Sequence, residues 1–232
     1  MINILFSPRW FFGKDILIDV VSVIVLALIS YVTFRYYRIN KNKTQHLSFS
    51  IATGLLALSF IFKIITNFTL YELEMHTKTF GLLTFTYQTV EASNTLFLIG
   101  TLLYRFLTLI GFYILFSTYY KEKNRSIYLI MAYFIFVATY FASQAYYIFH
   151  LSALLFLLFI VKKYLDNYRR TRDKPAKLIL TSFLIILISN AIFIFVELNH
   201  LLYVIAEIVQ LLGYVMLLIS LITVLRYGKK KK

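Results

Sequence analysis

The chain has 232 residues, 60% of them hydrophobic and 15% charged, with a mean hydropathy of +0.77. A soluble core of this size is too small to hide so much apolar surface, so lipid must be the solvent for most of the chain. The net charge of +14 lies between apolar runs instead of on one folded face, which excludes a nucleic-acid interface, and the absence of cysteine excludes disulfides, thiolate nucleophiles and cysteine metal sites.

A helix crosses about 30 Å of hydrocarbon with about 20 predominantly apolar residues. Seven runs meet that length, at 16–36, 47–70, 93–118, 127–143, 145–164, 178–198 and 201–226. The expected fold is an all-α, polytopic membrane protein: one seven-helix transmembrane domain over residues 1–232.

Trp10, Phe11 and Phe12, just before the first run, read as an interfacial aromatic anchor. The run itself lacks a small-residue cleavage site and is longer than the apolar core of a secretory signal, so it reads as a span. It carries Asp15, Asp19 and Ser22 at steps of four and three, on one helical face. Lys63 and Asn67 share a face of the second run in the same way.

The connection over 71–92 contains Thr79, Leu82, Thr84, Phe85, Thr86 and Tyr87, a β-prone stretch that predicts a short hairpin or lid. Asn94, Thr101, Arg105 and Thr108 form one stripe on the third run. Little more than Gln144 separates the fourth run from the fifth, and only Asn199 and His200 separate the sixth from the seventh, so each pair is expected to be a tight hairpin. His150 lies in the fifth run, Asn190 and Glu197 in the sixth, and Tyr203, Glu207, Gln210 and Tyr214 form a stripe on the seventh. Pro8 and Pro175 lie outside the runs, so no span carries a proline kink.

Of the 24 lysines and arginines, 19 fall on the side that carries Arg35 to Lys43, Lys121 to Arg125, Lys162 to Lys177 and Arg226 to Lys232. Arg9, Lys14 and Lys78 fall on the other side, and Lys63 and Arg105 lie within runs. This bias predicts a cytoplasmic C-terminus and an outside N-terminus in a multi-pass protein of the cell membrane. The terminal lysines enforce that topology and would attract anionic headgroups. Because Lys232 follows closely on the last run, no effector domain is expected on this polypeptide.

At about 1.5 Å per residue, Asp19 and Lys63 reach similar depths in the outer half, and an outward-reaching Arg105 meets Glu207. Two interior ion pairs are therefore expected, Asp19 with Lys63 and Arg105 with Glu207, because an unpaired charge in lipid is costly. The inner halves of the runs hold almost no charge, an asymmetry that packing alone does not require. It points to an outward-facing pocket whose ligand contacts are Arg105, Glu207, Gln210, Asn190, His150 and Tyr203.

None of the histidines has metal-pair spacing, although His150, His200 and Glu197 lie on the same side of the membrane. No metal or other cofactor is expected. Nor is an enzyme, because Ser22, Ser182 and Ser189 have no base at suggestive spacing and suit helix interfaces.

Through FSPRWFFGKDILID (Phe6 to Asp19), SFIFKIITNFTLY (Ser59 to Tyr71) and LRYGKKKK (Leu225 to Lys232), the chain resembles a family of small, uncharacterised archaeal seven-helix membrane proteins, a resemblance that implies no activity. The topology also resembles that of the rhodopsins, but the seventh run lacks a retinal lysine. It also lacks the histidine expected of seven-helix membrane hydrolases, and the intramembrane prolines of PQ-loop transporters are missing.

Two functions fit these patterns. One is a sensor or receptor that binds a small polar or amphipathic ligand from outside and signals to a cytoplasmic protein partner through the basic loop from Lys162 to Lys177. The other is a transporter or proton-coupled permease that uses Asp19, Glu207 and His150. The charge-poor inner halves and the lack of helix-breaking residues weigh against the second.

Overall fold

The computed structural model describes residues 7–11, 13–39, 44–79, 83–120, 125–142 and 145–230, with side chains throughout except at 9, 68–95, 125 and 225–230. A 3-10 turn, Arg9–Phe11, leads into seven helices: α1 (Lys14–Ile39), α2 (Thr44–Thr79), α3 (Leu83–Tyr119), α4 (Arg125–Phe141), α5 (Tyr146–Thr171), α6 (Lys174–Ile194) and α7 (Leu201–Lys230). No strand occurs among the described residues. Six helices are long and apolar enough to cross a membrane, and α4, apolar over Ser126–Phe141, is shorter. The chain is a multi-pass integral membrane protein.

The reading of 71–92 as a β-prone hairpin or lid is corrected. The backbone of α2 stays helical to Thr79 and α3 is helical from Leu83, so Thr84, Phe85, Thr86 and Tyr87 lie in a helix, whereas Leu82 lies outside the described residues. β-propensity measures fit to a half-buried pleated surface, and no partner strand is present here. The sixth run also ends early. Phe195, Val196 and Leu198 donate to Ile192, Phe193 and Phe195, bonds that tighten the chain into turns four residues before the expected end of the span. Glu197 therefore sits exposed in a connection and not on a helical stripe.

Neighbouring helices close a ring in the order α1, α2, α3, α5, α6, α7 and back to α1, and α4 packs outside it against α3 and α5. Small side chains and hydroxyls set the register. Between α1 and α2, one antiparallel alignment pairs Tyr36 with His46, Ser30 with Ser50 and Asp19 with Lys63. Between α2 and α3, Thr108 donates to Ser59 at 3.0 Å. Between α6 and α7, Ser182 meets Ser220 at 3.1 Å, and Ser189 donates to the Ala206 carbonyl at 3.0 Å. Such bonds suit membrane interiors, where an unmatched hydroxyl finds no water.

Because α3 and α5 run parallel, their aromatic rings pair at constant spacing: Tyr104 with Phe149, Tyr113 with Phe156, Phe116 with Phe159 and Tyr119 with Tyr164. The outer faces of the helices are apolar, with Leu129, Tyr133 and Phe136 of α4 at 72%, 71% and 65% exposed. A membrane helix that presents such a face is solvated by lipid tails.

Two apolar clusters divide the interior. The larger, built on Leu26, Phe60, Phe112, Phe156, Ile186 and Tyr214, fills most of the ring. The smaller, with Phe11, Phe193, Val196 and Tyr203, caps the end where α1 begins. The buried polar residues Asp19, Arg105, His150, Asn190, Glu207 and Gln210 occupy the layer between them.

Candidate functional site

The polar layer is organised around Lys63. Its Nζ donates to Asp19 Oδ1 of α1 at 2.7 Å and to Glu207 Oε1 of α7 at 2.5 Å. Both carboxylates are buried. Beneath the ammonium lie two aromatic faces, with the Phe60 centroid at 5.4 Å and that of Tyr104 at 5.9 Å. Cation–π attraction to these rings adds to the two ion pairs in holding the ammonium.

Phe60 and Tyr104 belong to a wider floor. Phe60 makes edge contacts with Tyr104 and Tyr214, and Tyr104 packs on Phe149. Rings from α2, α3, α5 and α7 thus close the ring under the charged layer.

Above that floor lies a cavity of about 90 Å³. Asp15 of α1 and Lys63, Thr66 and Asn67 of α2 line one side, and Phe97, Thr101, Tyr104 and Arg105 of α3 line another. Tyr146, Phe193, Tyr203 and Glu207 complete the wall, with Ser7 from the segment before α1. Measured over the apolar spans, with α3 counted as Leu96–Tyr119, each helical residue among these lies in the half nearest the start of α1, so the cavity belongs to that end of the bundle. Two polar atoms on the wall, Asn67 Nδ2 and Ser7 Oγ, are buried without a hydrogen-bond partner. In native interiors such atoms usually hold water or a ligand.

Of the six residues expected to contact a ligand, Arg105, Glu207 and Tyr203 line this cavity, whereas His150, Asn190 and Gln210 do not. His150 Nδ1 lies 3.2 Å from Asn190 Oδ1, and Asn190 Nδ2 donates to the Ile186 carbonyl. Because that amide nitrogen is committed as a donor, its oxygen accepts, so His150 carries its proton on Nδ1. The imidazole stacks on Phe193 at 4.5 Å. Gln210 Nε2 donates to the Tyr214 hydroxyl at 3.3 Å. These three residues tie α5 to α6 and brace α7 beside the cavity.

The structure brings Asp19 and Lys63 together, but the pairing of Arg105 with Glu207 is corrected. Lys63 stands between α1 and α7 and takes both acids, whereas Arg105 Nη1 donates to the Ala142 carbonyl at 2.5 Å, just past the end of α4. The guanidinium carbon also lies 5.8 Å from the Tyr146 centroid. Turned toward α4 and α5, Arg105 faces away from α7. His150, His200 and Glu197 do not converge either: His150 is buried, and the other two are exposed. Among the described residues no group of three potential metal ligands forms. Gln144 lies outside the described residues.

Asp15 and Asn67 had a legible signal, because each shares a helical face with a charged residue of the layer. Tyr104 and Tyr146 had none, being two of 19 tyrosines spread along the chain. No protein-family model, curated protein or solved structure matches this chain.

Proposed function

We propose that the protein is a seven-span sensor, with its N-terminus outside and its basic C-terminus in the cytoplasm. It holds a small polar ligand in the cavity and reports occupancy to a cytoplasmic partner. The lysine and arginine bias puts the end where α1 begins outside, so the cavity faces outward. The observation that carries this reading is a charged cavity resting on an aromatic floor. A permease needs a second path below its site, usually through broken helices. Here the ring below is filled by the larger apolar cluster.

Arg105 gives the ligand a lever. It lines the cavity and also holds the Ala142 carbonyl at the end of α4, the shortest of the seven helices and the one outside the ring. A ligand that draws the guanidinium inward weakens that hold, and α4 carries the change to its far end at Arg125.

Because the chain has no cysteine, Thr101→Cys supplies its sole thiol. In sealed, oriented vesicles, a membrane-impermeant thiol reagent added outside should label Thr101→Cys, which lines the cavity, and leave Ser220→Cys, in the packed half, unlabelled. Labelling of Thr101→Cys only from the inside, or not at all, would overturn the outward-facing cavity.

A further inference from the structure

Among the described residues, two buried charges on the cavity wall make no salt bridge. Arg105 is 6% exposed, and among the described residues no carboxylate pairs with it. Its hydrogen bond to the Ala142 carbonyl leaves other N–H groups of the fork unspent. Asp15 is 3% exposed, and among the described residues no lysine or arginine pairs with it. Its Oδ1 accepts the Ile16 backbone N–H at 2.9 Å, which offsets only part of a carboxylate's need.

The two do not reach each other, because α1 and α3 are separated around the ring by α2. Lys63 makes its salt bridges to Asp19 and Glu207, and none to Asp15. Among the described residues, the α1, α2 and α7 side of the cavity therefore carries an excess of negative charge, and no carboxylate pairs with the positive charge on the α3 side. A buried charge without a counter-ion is among the costliest groups to place in a membrane.

We propose that the cavity binds a small zwitterion, its carboxylate on Arg105 and its ammonium on the Asp15 side. This rests on the cavity being the ligand site argued above. A simple anion would satisfy Arg105 but add charge to the acidic side, and a simple cation would leave Arg105 unmatched. The unpaired Asn67 Nδ2 supplies a further donor for a carboxylate, and the Thr101 hydroxyl lies on the same wall.

Size narrows the class. The cavity's ~90 Å³ is the space open to the centres of water molecules, of which one water needs about 10–15 Å³, so it has room for several waters and suits an amino acid as small as glycine or alanine.

The test uses the full chain in lipid nanodiscs, titrated calorimetrically with glycine, L-alanine, acetate and methylammonium. Glycine or alanine should bind about tenfold or more tightly than acetate or methylammonium, and Arg105→Gln and Asp15→Asn should each remove that preference. Should either variant fail to fold, protection of Thr101→Cys from labelling in the otherwise unaltered cavity gives the same ranking. Acetate or methylammonium binding as tightly as glycine, or no binding of glycine and alanine to a cavity that does label from outside, overturns the zwitterion. Failure of Thr101→Cys to label from outside overturns the cavity reading itself, and the zwitterion with it.

Discussion

Lys63 carries two carboxylates from different helices, and its removal exposes how much each depends on it. Lys63→Met leaves Asp19 and Glu207 buried together with no cation, a change that costs about 3–5 kcal/mol in comparable buried pairs. Asp19→Asn should cost less, because Glu207 still balances the ammonium and the amide keeps the shape. Thermal unfolding in matched detergent micelles should rank the variants in that order. A Lys63→Met protein as stable as the parent would mean that Lys63 is not the cation these acids depend on. Asp19 and Lys63 were readable in the sequence because depth follows from residue count along two helices. The partner of Arg105 was not, since a backbone carbonyl looks alike at every position and only the ending of α4 at Phe141 brings that of Ala142 within reach.

Helices α6 and α7 meet where side chains are smallest. At Gly213 an added methyl would lie 2.5 Å from Ile186 Cγ1 and 3.2 Å from the Ile186 backbone nitrogen, so the Ile186 side chain must shift or the two helices move apart to admit it. Gly213→Ala should therefore destabilise the bundle by about 1–3 kcal/mol despite alanine's better helix propensity, and Gly213→Leu should prevent folding. Unfolding in denaturant that is unchanged by Gly213→Ala would show that the contact yields at no cost. The six long apolar helices were legible from apolar length. The helical continuation of α2 to Thr79 and of α3 from Leu83 was not, because threonine and aromatic residues favour strands only where a neighbouring strand exists. The end of α6 at Ile194 was equally hidden, since Phe195, Val196 and Leu198 are as apolar as the residues before them.

At the scale of the whole molecule, the sequence says which residues meet lipid but not which helices meet one another. Runs that are apolar nearly all round lack the one-sided stripe that points to a neighbour. The expulsion of α4 from the ring and the direct packing of α3 on α5 therefore appear only in three dimensions, and with them the aromatic floor, which draws on four helices. The polar layer above it was visible as a cluster of charges toward one face and read as a pocket, but of the six expected ligand contacts only Arg105, Glu207 and Tyr203 line the cavity. Near the mouth of that cavity stands Trp10, three residues from Ser7, 57% exposed and 5.7 Å from the Lys14 ammonium. It is the only tryptophan in the chain, so the protein's intrinsic fluorescence comes from a single emitter of known place. Bromine atoms on shallow acyl carbons should quench that emission strongly and those near the bilayer midplane weakly; the reverse order would sink its assignment to the interface. Iodide added to one side of a vesicle at a time would then tell, without any label, which compartment the mouth looks into.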